Sequence, residues 1–154
     1  MSKVKLEYII EHLQNCIAGV YVYVDKKTGD LEAIMSEAMK AAMEGKILEE
    51  EWILDQVEMA KLVLADNNHE RFIRLPDETT INENDAIIAF IDGIEDESVR
   101  YKFYDELKDS PSPGRFRNLL QSENMFDEFH DFEDSYYEEM AKSWCNDNNV
   151  EFYI

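Results

Sequence analysis

The chain has 154 residues and a mass of 18.1 kDa, the usual size of one domain, and its 45% hydrophobic residues are enough for a core. Five glycines and three prolines exclude a collagen-like or low-complexity composition. The net charge of −20 opposes binding to phosphate backbones and to anionic membrane surfaces. We therefore predict a single domain over residues 1–154, with no membrane contact and with direct nucleic-acid binding disfavoured.

Neither a signal peptide nor a membrane span is indicated by the apolar pattern. The first residues have no apolar core of signal-peptide length, and charged residues interrupt every later apolar stretch before a span of roughly 20 residues is reached. Cys16 and Cys145 are too few and too far apart for a disulfide framework or a zinc site. We expect a cytoplasmic protein with two reduced, semi-buried cysteines.

The first elements of the chain are a helix and a hairpin. Apolar residues spaced over 6–13 share one face of a short helix. Alternating valine and tyrosine over 20–24 predicts a strand. Gly29 suits the left-handed position of the turn that leads to a return strand over 31–35.

The two tyrosines of this hairpin, Tyr21 and Tyr23, lie on the same face of the predicted strand. Exposed tyrosines on a sheet can stack nucleobases. Lys26 and Lys27 are the only positive charges near them in the sequence, so we expect a helix or a partner subunit to cover this face instead.

The middle of the chain predicts helices around a third strand. Residues 36–66 have a helical pattern that breaks near Gly45, and a strand over 71–75 ends at a proline. A capping-box pattern over 80–83 opens the next helix, and Asp96 or Ser98 begins the one after it.

The last third predicts a loop, two helices and a strand. The Ser/Pro/Gly-rich stretch 110–114 is a loop, followed by a short helix and a long one over about 124–145. An apolar final segment over 150–154 is a last strand. Together these elements predict an α+β fold with a small, mostly antiparallel sheet: the N-terminal hairpin plus strands near 70–75 and 150–154, packed with several helices.

Three short motifs occur in the second half of the chain: FIRLP at 72–76, GRFR at 114–117, and A-x-x-W-C-x-x-x-N-V at 141–150. In this order and spacing they resemble a bacterial family catalogued as uncharacterised protein family 0158, over residues 68–152. The resemblance implies a bacterial cytoplasmic protein. It carries over no activity, cofactor or catalytic residue.

Acidic residues are concentrated in the second half. Residues 78–154 hold six basic and twenty acidic side chains, and eight of the acids lie between Asn118 and Ala141, where lysine and arginine are absent. This pattern is typical of a solvated face that keeps a protein soluble. The functional alternative is a surface for a basic protein partner or an anionic mimic of a nucleic-acid backbone. The partner-binding candidates are Asp127, Asp131, Asp134 and Glu138.

Glu133 differs from these acids because it falls within the apolar arc of the long helix. His130 and Tyr137 flank it at i−3 and i+4. The carboxylate is therefore either a structural group bonded to Tyr, His or Arg, or, with His130, an acid/base candidate of raised pKa. Asp127, His130 and Glu133 have spacing that a metal could use, but such a site needs further ligands from another helix and no second His on a helix face supplies one, so we predict no metal site.

Arg115 and Arg117 form the second group of candidate site residues. They stand at a predicted helix start, where free backbone N–H groups and the helix dipole favour an anion. In the alternative, one arginine pairs internally with Glu133 or another acid.

Phosphate-binding loops, dinucleotide fingerprints, nucleophile elbows and HExxH motifs are absent from the sequence. We therefore predict a non-catalytic interaction or regulatory module, without a cofactor, that docks a protein partner, a basic one in particular. The alternative is a small-anion-binding protein or enzyme, with Arg115 and Arg117 holding the anion and Glu133 with His130 transferring protons. Either could be a monomer or a small homo-oligomer.

Overall fold

A computed structural model describes residues 2–108 and 112–154. Within these residues the fold is α+β, as predicted, with seven helices and five short strands. The helices are α1 (Leu6–Gln14), α2 (Ser36–Glu44), α3 (Glu51–Ala65), α4 (Glu83–Asp92), α5 (Glu97–Leu107), α6 (Pro113–Ser122) and α7 (Phe126–Asp147). The strands are β1 (Val4–Lys5), β2 (Val20–Asp25), β3 (Leu31–Met35), β4 (Phe72–Arg74) and β5 (Phe152–Tyr153).

The strands form two sheets. The predicted hairpin is the centre of an antiparallel sheet in the order β3-β2-β4, in which Tyr23 lies opposite both Glu32 and Arg74. The predicted C-terminal strand forms, but it does not join this sheet. It pairs in parallel with β1, with Val4 opposite Phe152. The two residues of β1 are too few to give a periodic pattern, so the sequence offered β5 only the hairpin and the strand near 70–75 as partners.

The described residues divide into two compact units. The first comprises residues 2–81 and 141–154, and the second comprises residues 82–108 and 112–140. The organisation of residues 1–154 as a single domain stays a prediction.

In the first unit, one buried cluster covers the tyrosine face of the hairpin. Ile34 and Phe72 from the sheet pack with apolar residues of α2 and α3, and Tyr21 and Tyr23 pack against them. The expected helical cover is thus present. The helical stretch also breaks at Gly45, whose φ of 68° ends α2 in the left-handed conformation.

In the second unit, aromatic side chains from four helices contribute to the core. Phe90 of α4, Phe116 of α6 and Phe129 of α7 meet edge to face, with ring centroids 4.9–6.0 Å apart. This geometry directs the positive ring edge of one phenylalanine at the negative face of another, which adds to the free energy of burial. Phe103 of α5 completes the cluster and is fully buried.

Two helix starts differ from the prediction. Asn82, not Thr80, caps α4, since its side chain accepts a hydrogen bond from the backbone N–H of Asn84. Thr80 instead closes a turn on the carbonyl of Asp77. Ser112 caps α6, so Pro113 and Gly114 belong to its first turn and not to a loop, consistent with the preference for proline at a first helical position. The rest of the predicted loop, residues 110–111, lies outside the described residues.

No helix in the described part of the chain is both long and apolar enough to cross a membrane.

Candidate functional site

Helix α7 presents the acidic face that the sequence predicted. Asp127, Asp131 and Asp134 are exposed and Glu138 is half-buried, whereas Phe129 on the opposite side is buried. Steps of three and four residues place these four acids along one side of the helix. Between Asn118 and Ala141 the sequence has no lysine or arginine, so this stretch of the helix supplies several carboxylates and neither of these basic residues.

A groove with an apolar floor and an acidic rim lies in the second unit. It has a volume of about 520 Å³, within the range of ligand-sized clefts. Its floor consists of Phe90, Ile94, Val99, Met125 and Phe132. Its rim consists of Glu95, Asp96, Glu123 and Glu128. These residues come from the α4–α5 connection, the α6–α7 connection and the adjoining helix turns.

Two of the four rim carboxylates already have partners. Asp96 caps α5: its carboxylate accepts hydrogen bonds from the hydroxyl and backbone N–H of Ser98 and from the N–H of Val99, which hold its pKa below the ordinary value. Glu123 forms an ion pair with Lys102, with Nζ and Oε1 2.5 Å apart.

Glu95 and Glu128 are exposed, and neither takes part in any ion pair formed among residues 2–108 and 112–154. The groove thus offers two unneutralised carboxylates beside apolar side chains. The acids at 95–97 and 123–128 are visible in the sequence. Their approach to one another across the groove is a tertiary effect, and the groove was not predicted.

Glu133 lies in a mixed-charge cluster built from three helices. The side chain is half-buried, and this burial raises the pKa of its carboxyl group. His130 and Arg117 lower the pKa in part, while Glu83 and Asp134 raise it further. The structure thus brings Glu133, His130 and one of the two candidate arginines together. The net effect is a pKa above the ordinary value of a glutamic acid carboxyl.

The arginines occupy the first turns of α6, and both are exposed. The backbone N–H of Arg115 donates to Ser112 Oγ at 3.1 Å, so the cap uses one of the groups that an anion would need. Arg117 Nη2 lies 4.0 Å from Glu83 Oε1. The partner of this internal pair is therefore on α4 and not on the long helix, and the Glu83 carboxylate opposes an anion at the same place.

For Arg115, no ion pair is present among the residues that the structure describes. The two arginines therefore differ. Arg117 has a weak internal ion-pair partner, as one sequence-based alternative states, whereas the side chain of Arg115 is exposed to solvent.

His12 and Cys16, which the sequence gave no reason to connect, approach to 3.9 Å between Nε2 and Sγ. His12 Nε2 also lies 2.7 Å from the carbonyl oxygen of Pro76. A carbonyl oxygen only accepts, so Nε2 carries the proton and cannot remove one from the thiol. Burial, together with Glu78 and Asp77, raises the pKa of Cys16. This arrangement opposes the thiolate that a nucleophile requires.

Cys145 is fully buried, and burial raises the pKa of its thiol to about 11. Both cysteines are free thiols. In the described parts of the chain, His, Cys, Asp and Glu side chains form no group of three or more that could hold a metal ion.

No family model, curated protein or solved structure matches this chain.

Proposed function

We propose that this protein is a non-catalytic interaction or regulatory module whose acidic and aromatic surface docks a basic protein partner. The observation that carries the proposal is the exposed acidic side of α7, where Asp127, Asp131 and Asp134 lie in a stretch of the sequence that contains no lysine or arginine. Like charges in one row repel each other, and lysine or arginine from a partner relieves that repulsion. Charge complementarity of this kind steers association and makes it salt-dependent.

Membership in the bacterial uncharacterised family 0158, and with it a cytoplasmic location, is a further part of the proposal. Its support is the order and spacing of the motifs at 72–76, 114–117 and 141–150. Two residues of the last motif, Cys145 and Val150, are buried, consistent with a packing role for that motif.

A native mass spectrum of the protein, purified gently from its own cells at low ionic strength, tests the proposal. We expect added mass from a protein with an excess of lysine and arginine, and we expect about 0.5 M NaCl to release it. The triple variant D127N/D131N/D134N should lose the partner. The absence of any reproducible protein partner contradicts the proposal.

A charge-matched control separates this surface from the overall net charge. The variant E11Q/E37Q/D55N removes three negative charges from exposed positions of the first unit. It should retain the partner. Equal loss from both triple variants contradicts a role for α7 in particular.

The alternative function is a small-anion-binding protein or enzyme, and the raised pKa of Glu133 near Arg117 is the observation that favours it. In the same mass spectrum it predicts added mass from a small anion instead of a protein. It also predicts that Glu133→Gln leaves the fold intact and abolishes turnover of that ligand.

A further inference from the structure

We infer that the groove between the α4–α5 and α6–α7 connections binds a segment of a partner protein that carries large apolar side chains flanked by lysine or arginine. This inference rests on the proposed function and adds the place of contact and the chemistry of the bound segment. It concerns a different surface from the acidic side of α7, so the two can be tested separately.

The floor of the groove provides the apolar part of the recognition. Phe90 and Ile94 are buried, while Val99, Met125 and Phe132 pack on the core and remain partly accessible. Partly accessible apolar side chains gain free energy when a second apolar surface removes them from water. Methionine adapts its shape to such a surface because its side chain is unbranched and polarisable.

The rim provides the charge. The exposed carboxylates of Glu95 and Glu128 are available to cations. The pair of Glu123 with Lys102 illustrates that an ammonium group is accommodated at this rim. Because a ligand here meets acids on an apolar floor, a basic amphipathic segment is favoured over an acidic or purely polar one.

A second copy of this chain is the other occupant that the apolar floor suits. It would bring further carboxylates against the rim, since each chain carries a net charge of −20. Like charges placed together in an interface oppose association. The charge of the groove thus favours a different, basic protein.

A fluorescein-labelled amphipathic peptide of about 14 residues, built only from leucine and lysine, is the probe for the first test. Fluorescence anisotropy at about 0.1 M NaCl measures its Kd for the protein. We expect E95Q/E128Q to raise the Kd by about fivefold or more, because two rim carboxylates no longer meet lysine. The matched variant E11Q/D55N removes the same charge elsewhere and should change the Kd by less than about twofold.

The floor is tested separately. Met125→Gln keeps the length of the side chain but makes it polar, and it should weaken binding of the leucine–lysine peptide without changing its salt dependence. A peptide with alanine in place of leucine has the same charge and should bind wild-type protein more weakly. Circular dichroism and thermal unfolding verify that each variant is folded. If Met125→Gln does not fold, the rim variants still test the inference.

Three results overturn the inference. In the first, the leucine–lysine peptide fails to bind the wild-type protein. In the second, E95Q/E128Q and E11Q/D55N weaken binding of the peptide equally, which indicates diffuse attraction to the net charge. Alternatively, sedimentation shows a dimer that Met125→Gln dissociates, which assigns the groove to a second copy. In each case the native mass spectrum with D127N/D131N/D134N still decides the proposed function.

Discussion

Among the residues that the structure describes, Asp25 is the charged side chain that is buried most completely, at 1% exposure. Its two carboxylate oxygens accept hydrogen bonds from Arg71 Nε at 3.0 Å and Nη2 at 2.9 Å, and Oδ1 also accepts from the N–H of Lys27. Burial raises the pKa of this carboxyl, but the hydrogen bonds and the charge of Arg71 outweigh it, so the net pKa lies below the ordinary value. The pair ties the hairpin turn to the start of β4.

We predict that Asp25→Asn lowers the free energy of unfolding by about 2 kcal/mol at pH 7, since it removes charged hydrogen bonds from a buried site. Because the pKa of Asp25 is lower in the folded state, its ionised carboxylate stabilises the fold at pH values above the unfolded-state pKa of about 4. This stability is lost as the pH falls through the folded-state pKa. The difference between variant and wild type should therefore shrink below about pH 4. Urea unfolding across pH measures it.

Asp30→Asn is the control for this prediction, because Asp30 is exposed in the same turn. It should change stability by less than about 0.5 kcal/mol. A similar loss in both variants would mean that the turn needs negative charge in general and not the Arg71 pair.

Glu133 makes the opposite prediction. Its raised pKa means that the folded state favours the protonated form, so this contribution to stability is present below the unfolded pKa of about 4.3 and lost as pH rises through the folded pKa. Glu133→Gln should therefore stabilise the protein at pH 7, with the gain vanishing below about pH 4. Thermal unfolding at several pH values measures this.

Asp131→Asn, on the exposed side of the same helix, tests whether any gain comes only from lower net charge. If Glu133→Gln destabilises the protein at pH 7, the carboxylate acts as a structural ion-pair partner, as the sequence-based alternative states. That outcome would contradict the prediction.

At the scale of elements, helix ends decide the boundaries. The pattern Thr80 to Glu83 predicted a capping box, yet the backbone of residues 77–80 forms a turn on Asp77, which leaves Asn82 as the cap of α4. Cap identity depends on the backbone angles of one residue, and several polar residues in a row make that residue ambiguous in sequence.

We predict that Asn82→Ala lowers the free energy of unfolding by about 1 kcal/mol, the usual cost of losing a side-chain cap. Thr80→Ala should lower the free energy of unfolding by only about 0.3 kcal/mol, because the Thr80 hydroxyl closes an exposed turn. Parallel urea titrations of the two variants measure the difference. A larger loss for Thr80→Ala would restore the capping-box interpretation.

For the whole molecule, the net charge of −20 governs the response to salt. The length over which exposed charges interact falls from about 10 Å at 0.1 M to about 3 Å at 1 M salt. Screening relieves repulsion in the folded chain more than in the expanded unfolded chain. We predict that raising NaCl over this range increases the Tm by about 3 °C, equivalent to about 1 kcal/mol.

Differential scanning calorimetry in NaCl measures this shift, since chloride avoids the general stabilisation that sulfate causes. A falling Tm would contradict the prediction. It would indicate that ion pairs such as Arg71 with Asp25 stabilise the fold by more than the overall charge repulsion destabilises it.

Patterns within a few residues predicted most elements of this protein and the acidic side of α7. Periodicity and turn residues act locally, so the sequence predicted the first helix, the hairpin, the break near Gly45 and the two sides of the long helix. The same patterns identified Glu133 as an acid on an apolar arc, which the structure finds half-buried.

Contacts between distant segments needed the tertiary structure. The partner of β5 is a two-residue strand at the other end of the chain, and the groove joins residues 90–99 to residues 123–132. The proton position on His12 depends on a carbonyl 64 residues away. Such contacts result from packing between elements, whose free energy depends on which surfaces meet, and local sequence patterns do not contain that information.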